Sequence, residues 1–294
     1  MGVSGQVTRR AALVTSLVTA AALGPSAAVA VTTPAAPIQA TTAAPSPTPA
    51  PAPTLRTWRP GIEAAQRFAA TRPGRVRWAV LDQTTGRRWN YRAHEQVSGL
   101  SLLKTLLVVT YLRRGAVQDA PLTARARRLL PPMIRRSANG PATELVGQLG
   151  PAAIARAGRA AGMGRVHVVR PWGTTQTTAA SQVALFSRLP GLIPARHRDY
   201  AMGLLGSIVP SQRWGIGAVQ LPAGWKLYLK GGWGSGTGLA DHQTGLLVRA
   251  ADPVAGRPQQ RVVLSITTTG HPSHERAKAT LRGVAARLLA GLPG

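Results

Sequence analysis

Residues 101–112 read Ser101-Leu102-Leu103-Lys104-Thr105-Leu106-Leu107-Val108-Val109-Thr110-Tyr111-Leu112, and the interpretation of the whole chain turns on this stretch. Its apolar positions recur with helical spacing, and Gly115 marks the stop. Ser101 and Lys104 then lie one helical turn apart on the same face. There an amine can take the proton from an attacking hydroxyl. Alone the pair is a weak signal, because a surface pair on any helix has the same spacing.

A second helical stretch from Leu122 to Arg135 should run back antiparallel and deliver Ser137-Ala138-Asn139 toward Ser101. Much later, Lys230-Gly231-Gly232-Trp233 ends an apolar strand. The ordered set Ser-x-x-Lys, Ser-x-Asn, Lys-x-Gly is far more specific than any one member.

On these three motifs the chain resembles the class A β-lactamase and penicillin-binding-protein superfamily over roughly residues 58–290. It is similar to the actinobacterial branch of class A β-lactamase-related serine hydrolases through Trp172-Gly173-Thr174-Thr175, Gln212-Arg213-Trp214-Gly215-Ile216 and Gln243-Thr244-Gly245-Leu246. The resemblance implies that Ser101 is acylated, that Lys104 is its base and that Ser137 passes a proton to the departing nitrogen. It further implies that Asn139 orients Lys104 and the substrate amide, and that Lys230 adds positive charge beside Lys104 and Ser137 and attracts a substrate carboxylate. The backbone N–H groups of Ser101 and Trp233 would form the oxyanion hole, with Gly232 small enough to let the acyl group lie against the strand. Such a site takes a β-lactam, peptide amide or ester substrate and needs no cofactor and no metal.

Three departures from the motifs qualify the expected activity. Class A enzymes carry a glutamate that activates the deacylating water, yet no Asp or Glu occurs between Gly150 and Thr178. A β-lactam is therefore expected to be trapped rather than turned over. Glu144 is the nearest carboxylate and is placed on a helix just after Ser137. Ala138 replaces the usual aspartate of the second motif, and Gly231 replaces the hydroxyl or amide residue of the third. The alternative reading is a non-catalytic wall-binding or penicillin-sequestering protein.

Composition narrows the classes. The 294 residues contain no cysteine, which excludes disulfides, thiolate metal sites and a cysteine nucleophile. Lys plus Arg number 36 against 9 Asp plus Glu, giving +27, so anionic partners are attracted and an anionic cell-wall polymer is one candidate. The arginines are scattered and no helix-turn-helix, zinc finger or stacking-aromatic pattern accompanies them, so nucleic acid is not expected. Only Lys104, Lys226, Lys230 and Lys278 are lysines. Arginine cannot be deprotonated in a protein whereas a buried lysine can, so the two lysines that fall in motifs stand out.

At the front, Arg9-Arg10, the apolar run Ala11 to Leu23, Pro25 and Ala28-Val29-Ala30 read as a secretory signal peptide over 1–30, and Thr8-Arg9-Arg10 hints at the twin-arginine route. Residues 31–54 are a Pro/Ala/Thr-rich linker, and 55–294 form the hydrolase domain. The expected location is extracytoplasmic, with wall association and no membrane span after cleavage.

Within that domain, helices are expected over Gly61–Ala70, Pro151–Gly162, Thr178–Leu189, Arg198–Ser207 and Ser273–Ala290. Strands are expected over Arg75–Asp82, Arg87–Arg92, Trp225–Lys230, Leu239–Arg249 and Arg261–Thr268. The resulting α/β (α+β) fold is β-lactamase/transpeptidase-like. Its five-stranded antiparallel sheet is flanked by the terminal helices, and an all-α insertion separates strands two and three. Other signals read as structure. His271-Pro272-Ser273-His274 is a helix start, Gly231 to Gly238 lacks the ending of a phosphate loop, and Trp58, Trp78, Trp89 and Trp225 are core or cleft-edge residues. A triad through Asp241 and His242 is discounted, since neighbours on a strand face opposite ways.

Overall fold

The computed structural model of the protein describes residues 58–234, 239–254 and 256–294. The expected signal peptide and linker lie outside the described residues, as do residues 235–238 of the glycine-rich stretch.

Helix α1 (Ile62–Ala70) leads into strand β1 (Arg75–Asp82), which turns back as β2 (Arg88–Tyr91). A short strand β3 (Val97–Ser98), a 3-10 turn over Leu100–Leu102 and helix α2 (Leu103–Leu112) follow. Then come α3 (Gly115–Gln118), α4 (Ala124–Arg135), α5 (Asn139–Ala160), strand β4 (Gln176–Thr177), α6 (Ala179–Leu192) and α7 (Ala195–Gly206). Strands β5 (Trp225–Gly234), β6 (Ala240–Arg249) and β7 (Gln260–Thr269) and helix α8 (His274–Leu288) complete the order.

The main sheet is five-stranded and antiparallel in the order β2-β1-β7-β6-β5, so the first and last thirds of the chain share it and β5 is an edge. Seven of the eight residues of β1 are buried. A strand buried on both faces needs cover on both, and here α6 packs against β1 and β7 while α8, with α1 beside it, packs against β6 and β7. Trp58 ties the start of the domain to its end, its indole Nε1 donating to the Ala290 carbonyl at 3.0 Å. Trp78 is wholly buried and stacks on Tyr91, while Trp89 and Trp225 are half-buried. Among the described residues no helix is long and apolar enough to cross a membrane.

Helix α2 is buried at all ten positions. A helix apolar all round sits at the centre of a domain, and α2 packs against α4, α5 and α6 there. Its N-terminal end meets the sheet at β5 through the preceding 3-10 turn, which fixes where the cleft lies.

Some elements differ from the expectations. Ser101 sits in the 3-10 turn rather than in an α-helix, because Leu100 has φ +50° and the chain is still turning there. Helix α5 begins at Asn139, well before Pro151, and carries a break at Gly150 with φ +73°. The residue before a proline avoids the helical region, and glycine accommodates that break. Strand β5 runs four residues past Lys230, since Gly231 to Gly234 all pair with β6. Strands β3 and β4 pair as a separate two-stranded sheet, and α3 forms where only a stop is expected.

Candidate active site

The site begins with how Ser101 is held. The Gly99 N–H donates to the Thr175 carbonyl at 2.7 Å, and a methyl group on Gly99 would lie 2.9 Å from that oxygen. Leu100 then takes a left-handed conformation that side chains seldom adopt. Such strain costs about 1–3 kcal/mol and persists only where packing imposes it. The burial of Leu100, Leu102 and Leu103 around Ser101 supplies that packing.

Lys104 is wholly buried. Its Nζ donates to the Ser137 carbonyl, to Ser137 Oγ at 3.2 Å and to Asn139 Oδ1 at 2.8 Å. The indole of Trp172 covers the amine with its ring centroid 5.2 Å away, and Trp172 is itself held by an Nε1–H bond to Thr143 Oγ1 at 3.0 Å. Burial brings the Lys104 pKa down to about 7.

Lys230 arrives from β5 and is also wholly buried, donating to Ser137 Oγ at 2.9 Å and to the Gly231 carbonyl at 2.6 Å. Burial, and secondly the charge of Lys104, push its pKa well below the ordinary lysine value. Ser137 Oγ thus lies between two buried amines. Its own backbone has φ +57°, at the corner where α4 ends and α5 begins.

Gly232 faces the other side of the same contact. A methyl group there would lie 2.9 Å from the Ser101 amide nitrogen and 3.2 Å from that of Leu102. Only a residue without Cβ lets β5 pass this close, and the passage sets the Gly232–Trp233 peptide beside Ser101. The structure therefore brings together Ser101, Lys104, Ser137, Asn139, Lys230 and Gly232. Trp233 stands next in line with 39% of its surface exposed.

Three neighbours went unassigned in the sequence reading. His242 lies directly across from Gly232 in the β5–β6 register and is wholly buried. Its Nδ1 accepts from the Thr268 N–H at 3.3 Å, so Nε2 carries the proton and donates to the Ser98 carbonyl at 3.0 Å. Burial lowers its pKa to about 4. Its position opposite the Lys-x-Gly strand is the only clue the sequence offers. Trp172 stood in view only as part of a resemblance, with nothing local to place it over Lys104. Asp241, buried, accepts from His274 Nδ1 at the start of α8, on the opposite face of β6 from His242.

Glu144 lies in α5 as expected and pairs with Arg125, its Oε1 accepting from Nε at 2.7 Å. It is committed to the surface. Ser273 caps α8, accepting from the Arg276 N–H at 3.2 Å. Among the described residues no group of three or more His, Cys, Asp or Glu side chains stands close enough together to hold a metal ion.

A buried lysine lies one turn beyond a serine, and a second serine is held against it by another lysine at an antiparallel sheet edge. The chain has the class A β-lactamase fold. Its structure is similar to that of a last common ancestor of Gram-negative class A β-lactamases, at TM-score 0.65 and 22% identity over 78% of this chain and 98% of that one. A β-lactamase from Xanthomonas campestris gives TM-score 0.65 and 20% identity over 79% and 97%. One from Desulfarculus baarsii gives 0.60 and 22% over 76% and 96%. No family model matches the sequence, and no curated protein matches it.

Proposed function

We propose that the chain is an extracytoplasmic serine hydrolase or acyl-transferase that forms an acyl-enzyme on Ser101 with β-lactam, peptide amide or ester substrates. The observation that carries this reading is Ser137 Oγ, 3.2 Å from Lys104 Nζ and 2.9 Å from Lys230 Nζ, in a fully buried setting. Surface lysines have no reason to be placed so, because burying two cations side by side is costly unless one gives up its proton.

In the proposed reaction the neutral fraction of Lys104 takes the Ser101 hydroxyl proton, and Oγ attacks the substrate carbonyl. The Ser101 and Trp233 N–H groups receive the developing oxyanion. Ser137 hands a proton to the leaving atom and is resupplied through the lysines. Asn139 keeps Lys104 in line from its Oδ1.

Release of the acyl group is the slow step in this proposal. The loop that follows α5 carries no carboxylate to activate a deacylating water, and the Trp172 indole covers Lys104 there. Incubating the protein and its Ser101→Ala variant with a fluorescent penicillin and an activated ester, followed by intact mass, tests the proposal. The expected result is an adduct on wild type alone that decays more slowly than it forms. No adduct and no ester turnover would sink it, in favour of a non-catalytic wall-binding or penicillin-sequestering role. That role is favoured by the missing glutamate between Gly150 and Thr178 and by Ala138 in the second motif.

A further inference from the structure

The two faces of β5 differ in chemistry. Lys230 and Gly232 face Ser137 and Ser101, whereas Gly231 and Trp233 face α8 together with their cross-strand partners Gln243 and Asp241. A substrate lying along the open edge of β5 is flanked by both faces.

On the α8 side three rings meet. Trp214 and Trp233 pack edge to face with centroids 6.0 Å apart, and His274 stands 5.4 Å from Trp214 and 6.0 Å from Trp233. A methyl group on Gly231 would lie 3.4 Å from the Trp214 indole. The indole therefore fills the space into which a longer side chain at 231 would reach. Trp233 and the His274 side chain are each 39% exposed, so the patch is open to a ligand.

The polar groups on this face are already engaged. Gln243 Oε1 accepts from the Ile216 N–H at 2.7 Å, and its Nε2 donates to the Gln212 carbonyl at 3.4 Å. His274 is bound to the buried Asp241 carboxylate, and while that carboxylate is ionised the pair has no net positive charge. Gly231, Trp233, Asp241 and Gln243 therefore present no cation and no free donor pair to a carboxylate. Lys278, whose charge acts on Asp241 from α8, is paired with Glu275 at 2.5 Å, and the rings present flat apolar surface.

We propose that Trp214, Trp233 and His274 form a subsite for an uncharged aromatic leaving group, which selects against a carboxylate at that position. The proposal rests on the Ser101 acyl-enzyme reading. The leaving group is placed at this edge because Ser137, its proton donor in that reading, meets β5 at Lys230 on one face, while the exposed Trp233 flanks the same open edge from the other. In the step itself a bond forms from Ser101 Oγ to the acyl carbon, the bond to the leaving atom breaks, and the serine proton ends on that atom.

The test uses two thioesters with the same acyl group, one releasing thiophenol and the other its meta-carboxylate. Acylation rates are followed by quenched intact mass at low salt and at about 0.5 M salt, where the Debye length is only a few ångströms and the general basic charge is screened. At high salt the neutral thioester should acylate Ser101 about tenfold faster, because the carboxylate of the other must give up water against the rings without gaining a partner. Trp233→Ala should bring the ratio of the two rates toward one, and Trp233→Phe should retain most of it. Equal rates in wild type, or a ratio unmoved by Trp233→Ala, would overturn the subsite while leaving the acyl-enzyme standing. Thioester consumption that is the same in Ser101→Ala would overturn the acyl-enzyme reading, and the subsite with it.

Discussion

Lys104 has the sharpest consequences at the scale of single residues. Its pKa of about 7 arises from burial, and in the proposed reaction the active form is the neutral amine. The acylation rate constant should therefore rise as pH passes from 6 to 8 and level off above. A flat profile in stopped-flow acylation would contradict this role. Lys104→Arg keeps the charge but cannot give up the proton, so acylation should fall by about 10²–10⁴, the span assigned to positioned general bases. His242 makes a second case. Its pKa is near 4 in the fold against about 6.5 in the unfolded chain, so the unfolded state binds more protons between those values. Stability is full above pH 6.5 and is lost as pH falls toward 4, by roughly 3 kcal/mol from this group. Thermal melts across that window should show the fall, and His242→Gln should shrink it.

At the scale of elements, α5 starts without help. Ala138 occupies its N-cap position and offers no side-chain hydrogen bond, whereas Thr178 and Ser273 cap α6 and α8. Ala138→Asp should stabilise the protein by about 1 kcal/mol through a capping bond and the helix dipole, raising Tm by about 2–4 °C for a domain of this size. An unchanged melt would mean the corner at Ser137 cannot accept a cap. Gly232→Ala should act in the opposite direction. Its methyl group would press on the Ser101 amide, and either the strand or the nucleophile turn must move. Acylation should drop by about a hundredfold or more while the fold survives, since removing one oxyanion donor alone costs that much.

The elements also show what the sequence could reveal. The span of β1 was readable to the residue from its apolar run between Gly74 and the Gln83-Thr84-Thr85-Gly86 turn. The Ser-x-x-Lys, Ser-x-Asn and Lys-x-Gly segments were readable because each is contiguous. The first half of α5 was hidden by Asn139-Gly140-Pro141, Gly147 and Gly150, all poor helix formers that long-range packing overrides. Strands β3 and β4, two residues each, are too short for any period to emerge. The Trp172 indole over Lys104, and His242 bracing the turn before Ser101, are contacts across 68 and 144 residues respectively. No local pattern encodes those.

Over the whole molecule the balance of charge is the dominant feature. With +27 overall, the protein should be held by an anionic wall polymer at low ionic strength and released as salt rises, with log affinity falling linearly in log salt. Co-sedimentation with teichoic acid over a salt series checks this. Retention insensitive to salt would point away from charge as the cause.

The order β2-β1-β7-β6-β5 has a consequence in time as well as in space. Strand β1 pairs with β7 in a register that sets Arg75 against Thr269 and Asp82 against Val262. At synthesis rates of about 5–20 residues per second, β1 waits roughly 10–40 s for that partner to be made. Throughout the wait β2 is its only partner within the sheet, and α6 can cover one face only once residues 179–192 have been made. In a newborn chain the sheet therefore stays open at β1 until the last strand emerges and pairs with it.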